Sequence, residues 1–257
     1  MWYYESQRDD GEVIDKLNEL SEKYPTRGFD EYYGRIRNEG LKWNRKRVLR
    51  VYRLMNLKLR RKRKRRLPAR EKESLSRPQE INNTWSMDFM SDSLVFGRKF
   101  RVLNVIDDYN REALAIEVDF SMPGERVKQI LNEVIYSRGK PKKIRVDNGP
   151  EFISKALKQW AQKNEIELKY IQPGSPTQNA YIERFNRLFR EDILDAYLFS
   201  DLHQVRELAW EWMDDYNEAH PHKSLGGISP IAYFKKMKNN QTLNSKGSSQ
   251  PEPVKGI

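Results

Sequence analysis

Three carboxylates in this sequence stand where an acid needs a reason to be. Asp88 falls inside TWSMDFMSD (84–92), which reads as a strand with Trp85, Met87 and Phe89 on one face and Ser86, Asp88 and Met90 on the other. Asp147 closes the apolar run of KKIRVDNGPEF (142–152), where Ile144 and Val146 favour extended backbone and Asp147-Asn148-Gly149-Pro150 is turn chemistry. Glu183 follows the loop QPGSPTQNAY (172–181), at the start of a helix whose apolar stripe is Ile182, Phe185, Phe189 and Ile193. On another face of that helix Glu183, Arg187 and Arg190 recur at i, i+4 and i+7. None of the three acids has a His or Cys beside it in sequence. Together they would make a hard, all-oxygen site suited to Mg²⁺ or Mn²⁺. Two such ions about 3.5–4 Å apart activate an attacking oxygen and stabilise a leaving one in phosphoryl transfer. Arg187 and Arg190 are placed to hold phosphates next to it.

Those acids need a scaffold, and the hydrophobic periodicity supplies one. Strands are predicted at 84–89, 100–106 and 113–120, joined as hairpins by Phe96-Gly97-Arg98-Lys99 and Asp107-Asp108-Tyr109-Asn110. A helix follows over 125–138, then the 144–146 strand, a helix from about 151 to 163, and a strand at 168–171. Three meandering strands followed by alternating helices and strands is an α/β order. Other polar residues take plainer readings. Asp107 and Asp108 read as turn formers, Asp92 as solvent-facing, and Glu151 as a cap at a positive helix end. His220 and His222 read as structural, and Trp160, Trp210 and Trp212 as core.

Ahead of this core the charge is lopsided. The chain carries +11 in 257 residues, and +10 of that lies in residues 1–80. No acid occurs between Glu39 and Glu71, a window with 15 cations. Within it KLRRKRKRR (58–66) places Arg60, Arg61, Lys62, Arg63, Lys64, Arg65 and Arg66 almost without interruption. Such a run fits a polyanion, with nucleic acid the default partner and an affinity that falls steeply with salt. Helices are predicted at 11–24, 30–38 and 44–55. The last puts Val48, Val51, Tyr52 and Met55 on one side, and with Arg45, Lys46, Arg47 and Arg50 it makes a basic, helix-turn-helix-like unit over 1–66. Residues 67–80 read as a linker, 81–238 as the catalytic core, and 239–257 as a disordered tail.

Composition excludes several classes. Without cysteine there is no disulfide and no thiolate zinc site, and three histidines leave no zinc finger. No apolar run approaches the ~18 residues of a membrane span, and the N-terminus lacks a signal-peptide pattern. The expectation is a soluble, intracellular protein.

A resemblance sharpens this. Thirty-five residues separate Asp147 from Glu183, as in the D,D(35)E pattern of transposases and retroviral integrases. WSMDFMSD, FRVLNVIDDYNREAL, IRVDNGPEFIS, YIQPGSPTQNAYIERFNR and YN…HPHKSLGGISP are similar, in order, to the second-frame (OrfB) product of two-frame bacterial insertion sequences, and NRKRVLRVYRLMNLKLRRK resembles its N-terminal helical segment. The resemblance covers roughly residues 10–235, departing at His220-Pro221-His222, where the family often has Arg-Pro-His or Arg-Pro-Asn. It implies an RNase H-like fold in which Asp88, Asp147 and Glu183 bind two Mg²⁺ ions, with Mn²⁺ substituting. It implies cleavage at the element's ends and transfer of the freed 3′-hydroxyl, and at Arg190 a basic residue that contacts DNA. It also implies an upstream-frame (OrfA-type) partner or fusion, an active assembly at least dimeric, and a place at the nucleoid of the bacterial cytoplasm. Two rivals stay open at this point: a DNA-binding regulator or inactive relic, and an RNase H-like nuclease that hydrolyses without joining.

Overall fold

The computed structural model describes residues 9–57, 78–171 and 179–246, with side chains to residue 239. The basic run 58–66, most of the expected linker, the loop 172–178 and the tail beyond 246 lie outside the described residues. Three helices open the chain: α1 (Gly11–Lys23), α2 (Phe29–Asn38) and α3 (Arg45–Leu54). They match the apolar spacing, burying Val13, Leu17, Leu20, Tyr32, Ile36, Val48, Val51 and Tyr52 in a small core of their own. Asn44 sets the start of α3, its side-chain oxygen accepting from the Lys46 N–H at 2.8 Å.

The rest is a five-stranded sheet in the order β3-β2-β1-β4-β5, built from β1 (Thr84–Ser93), β2 (Lys99–Asp107), β3 (Ala113–Asp119), β4 (Lys143–Val146) and β5 (Glu167–Tyr170). The first three strands form an antiparallel meander, and β4 and β5 join β1 in parallel. The Phe96-Gly97 hairpin forms where expected, with Gly97 at φ 80°. Alternation along the strands splits the apolar residues between two layers. Trp85, Met87, Leu103 and Val105 face α4 (Gly124–Arg138) and α5 (Lys155–Lys163). Met90, Val102 and Val118 face α6 (Ala180–Phe189) and α7 (Leu202–Glu218). A mixed sheet in this order, covered by helices on both faces, is an RNase H-like α/β fold.

Three details differ from the sequence reading. The helix expected from 151 begins only at Lys155, because the Ser154 hydroxyl caps it, accepting from the Leu157 N–H; Glu151 is left in the preceding turn. Helix α8 (Pro230–Lys246) runs into what reads as tail, so residues 239–246 are helical. Trp210, expected in the core, is 53 % exposed, while Trp160 and Trp212 do pack inside.

Past α6 the chain widens into a π-turn, Arg190–Leu194, closed by the Asp195 N–H donating five residues back to the Arg190 carbonyl at 2.8 Å. Ile193 and Leu194 both bury there, and Asp192 turns toward the helical unit. That unit is tied to the core at this point. Arg27 pairs with Asp192 and lies 3.5 Å from Glu191, and Thr26 Oγ1 donates to Asp192 at 2.9 Å. Arg35 meets Asp215 at 3.0 Å, and the Tyr24 hydroxyl donates to the same carboxylate. Among the described residues no helix is long and apolar enough to cross a membrane.

Candidate active site

Mid-strand Asp88 sits opposite Asn104 of β2 and, as the alternation requires, faces α6. Its Oδ1 accepts from the Phe89 N–H at 2.8 Å. Its Oδ2 accepts from the Asn186 side-chain amide at 2.8 Å, and Asn186 Oδ1 in turn accepts from the Asn104 amide at 2.7 Å. A carboxylate only accepts, so it sets the polarity of the whole chain: Asn186 presents its NH₂ to Asp88 and its oxygen to Asn104. Asn186 is one turn beyond Glu183, so this chain fastens the helix of one acid to the strand of another. Sequence reasoning passed over both asparagines, although an amide in the middle of the apolar run FRVLNVID was a signal for Asn104, which is fully buried.

Asp147 follows β4 where the strand leaves the sheet. Its Oδ1 accepts from the Gly149 N–H at 2.8 Å, and Asn148 pins the turn to β5 by donating to the Ile171 carbonyl at 3.0 Å. A Cβ at position 149 would stand 2.9 Å from Asp147 Oδ1, so any side chain there would displace that carboxylate. Glu183 lies in the first turn of α6 and is exposed.

The other two acids act on Asp88 through space. Burial pushes the Asp88 carboxyl up to about 6, and the charges of Asp147 and Glu183 push it the same way, against the donors from Phe89 and Asn186. A carboxyl raised by two neighbouring carboxylates sits in a field that a cation would relieve. Among the described residues no three acids or histidines close around a point at metal-ligand range. What fits a divalent ion is the donor chemistry: an all-oxygen set whose negative charge converges on Asp88.

The expected phosphate-binding cations separate into groups. Arg187 and Lys46 are exposed. Arg190 is engaged, 3.1 Å from Asp92 and 3.0 Å from the Ser91 carbonyl, so Asp92 faces an arginine rather than open solvent. Arg45 pairs with Asp30 at 2.7 Å, and Arg47 and Arg50 pair with Asp10 at 3.0 and 2.5 Å. Arg60, Arg61, Lys62, Arg63, Lys64, Arg65 and Arg66 lie outside the described residues.

Other acids also depart from their readings. Asp107 does shape its turn, accepting from the Tyr109 N–H at 2.7 Å. Asp108 instead is fully buried against Arg145 at 2.6 Å and Ser86 at 2.7 Å. Glu151 caps no helix; it pairs with Arg101, which lies over the Phe89 ring and holds that carboxyl below its ordinary range. His220 and His222 are buried against Tyr216, the structural role expected of them.

Comparison with known proteins adds the lineage. Residues 78–176 match a family model described as Integrase core domain, and residues 164–230 match a second of the same description. The chain is 40 % identical over 236 residues to the insertion element IS407 uncharacterized 31.7 kDa protein of Burkholderia multivorans, an alignment covering 91 % of this chain and 85 % of that one. It is 27 % identical over 242 residues to transposase InsD for insertion element IS2A/D/F/H/I/K of Escherichia coli, covering 88 % and 79 %. Among solved structures, the HTLV-2 integrase catalytic core domain in complex with magnesium (trimeric form) superposes with a TM-score of 0.49 at 17 % identity, over 61 % of this chain and 99 % of that one.

Proposed function

Because the chain belongs to the insertion-element transposases that carry an integrase core domain, we propose that it cuts the ends of its element and joins the freed 3′-hydroxyls to new phosphodiesters. It is a polynucleotidyl transferase of the DDE class. The observation that carries the finer reading is the coupling of Asp88 to both Asp147 and Glu183 across three separate elements of the fold. Those three residues would hold two Mg²⁺ ions, with Mn²⁺ able to substitute. Bound there, the ions supply the positive charge that favours an ionised attacking oxygen and offsets charge on the leaving one.

The chain's own residues do the rest. Gly149 fixes the rotamer of Asp147 through its N–H, and Asn186 fixes that of Asp88. Arg187, exposed four residues beyond Glu183, is placed to receive a phosphate flanking the scissile one. In the first step water attacks the phosphorus at the element's end. A new P–O bond forms, the bond to the 3′-oxygen breaks, and that oxygen leaves as a hydroxyl. In the second step this hydroxyl attacks another phosphodiester in line, and the strand it displaces takes up the proton. Joining one end to the other first would give a circle before insertion. Handling two ends together calls for at least two copies, together with an upstream-frame partner or fusion.

Asn186→Leu isolates the positioning role. It removes a hydrogen bond to a charged group, worth roughly 1.5–3 kcal/mol, so joining should slow about 10- to 100-fold. Filter binding of duplex DNA should stay within about twofold of wild type, since no charge is lost. Slowing that is matched by an equal loss of DNA affinity would assign Asn186 to substrate binding instead.

The defining assay uses supercoiled plasmid and a labelled duplex ending in a 3′-hydroxyl, with Mg²⁺, Mn²⁺ or EDTA, the upstream-frame partner being fused in a parallel series. Wild type should join the label only with metal. Glu183→Gln and Asp147→Asn should bind DNA and not join. Joining that survives EDTA or both substitutions sinks the reading, and metal-dependent nicking without joining makes the protein a nuclease.

A further inference from the structure

Between the helical unit and the core lies a cleft of about 1640 Å³, with the α2 segment on one side and α6 and the loop 220–227 on the other. Its acids are all engaged. Asp30 is paired with Arg45, Glu191 lies beside Arg27, and Glu31 is shared by Arg27, Arg35 and His220. Three of its cations are not. Arg184, Arg187 and Lys223 are exposed, and among the described residues none has an acidic partner. The wall formed by α6 and the loop therefore carries three cations without an acidic partner among the described residues, while those of the facing wall are paired. Arg184 follows Glu183 directly and Arg187 comes one turn later, so the charged wall and the proposed catalytic carboxylate share one helix.

The cleft is also preformed. The ties from Arg27, Arg35 and Tyr24 to Asp192 and Asp215 hold its two sides together. At its base Gly34 meets Pro221 so closely that a Cβ on residue 34 would stand 2.8 Å from the proline ring. A rigid, open trough with cations along one wall suits an extended polyanion better than a compact one. Guanidinium and ammonium groups in such a row read backbone phosphates, not base edges.

We propose that this cleft seats the DNA backbone flanking the scissile phosphate, with Arg184, Arg187 and Lys223 as its phosphate contacts and the helical unit as the fixed opposite wall. The proposal rests on the strand-joining reading for the identity of the polyanion. It moves the helical unit's part in binding from its α3 cations, which are largely paired internally, to the wall it builds against the core.

The test is the salt dependence of binding, read by fluorescence anisotropy of a labelled duplex over a salt series in EDTA. Each phosphate contact contributes about 0.9 to the slope of log K against log salt. Replacing Arg184, Arg187 and Lys223 together with Gln should reduce the slope by about 2–3 and lower affinity at low salt. Lys223→Gln alone, on an exposed loop, should reduce it by about 1 with an unchanged Tm, which covers the case of a triple variant that folds poorly. Lys140→Gln, an exposed cation outside the cleft lining that pairs with Glu165, should retain the wild-type slope. If the triple and single variants both keep the wild-type slope and affinity, the cleft does not hold DNA, even if wild type joins strands. If the slope falls as expected in a protein that never joins strands, the cleft stands and the joining reading fails.

Discussion

Asp88→Asn is expected to stabilise the metal-free protein while abolishing strand joining. Burial and the charges of Asp147 and Glu183 raise the Asp88 carboxyl from 3.8 to about 6. Between those values the folded protein keeps a proton there that the unfolded chain has released. This group therefore makes the fold progressively less stable as pH rises from about 4 to about 6, and the loss is complete above that. Two pKa units correspond to about 2–3 kcal/mol. Asparagine removes the charge but keeps one oxygen where the carboxylate used two, which returns about 1 kcal/mol. The net gain in EDTA at pH 7 is about 1–2 kcal/mol. Urea titrations of wild type and variant should diverge across that pH window and run parallel above it. Joining should fall on the order of 10³-fold or more, because a charge-bearing group of the proposed site is gone. A variant no more stable than wild type at pH 7 would show that Asp88 bears no such strain.

The second large effect concerns Arg27, which is 7 % exposed and lies among Asp192, Glu191 and Glu31. Arg27→Met keeps the length of the side chain and deletes the charge. It leaves the largely buried Asp192 without its cation, while Glu31 keeps Arg35 and His220. Breaking a buried pair from one side costs about 3–5 kcal/mol. Arg45→Ala breaks an exposed pair with Asp30 and should cost under about 1 kcal/mol. Urea unfolding of the two variants side by side separates the cases. Equal small losses would mean that the helical unit is held by apolar contact and not by this cluster. Trp212 and Thr26 still donate to Asp192 in the Arg27 variant, so the π-turn should keep its shape.

Much of the core was readable because its signals are local. Alternation in TWSMDFMSD put Asp88 on the face of Met90, which the structure turns toward α6, and turn chemistry placed Asp147 at a strand end, as found. The helical spacing of Ile182, Phe185 and Phe189 set the face of α6 and so the position of Glu183. What escaped depends on partners far away in the chain. Asp108 looks like a turn residue until Arg145, 37 residues on, arrives to neutralise it. Glu151 looks like a cap until Arg101 reaches it from β2. Tyr24 and Asp215 lie 191 residues apart, and no local pattern marks either as the join between the helical unit and the core. The charge count of α3 likewise does not show that Asp10 pairs with Arg47 and Arg50.

The π-turn at 190–194 has a consequence for how this helix can change over generations. Before it, the buried positions keep α-helical time, one turn to the next. Within it, Ile193 and Leu194 bury side by side while Asp192 points away toward Arg27. Removing one residue there would restore an ordinary helix but rotate everything beyond it by roughly 100°. Ile193 and Leu194 would then leave the core together, and Asp192 would lose Arg27. Substitutions around the turn should therefore be tolerated far more readily than single deletions. In a deep mutational scan read out by folding, a single deletion in 190–194 should be depleted even at positions such as the half-exposed Glu191, where substitutions are tolerated.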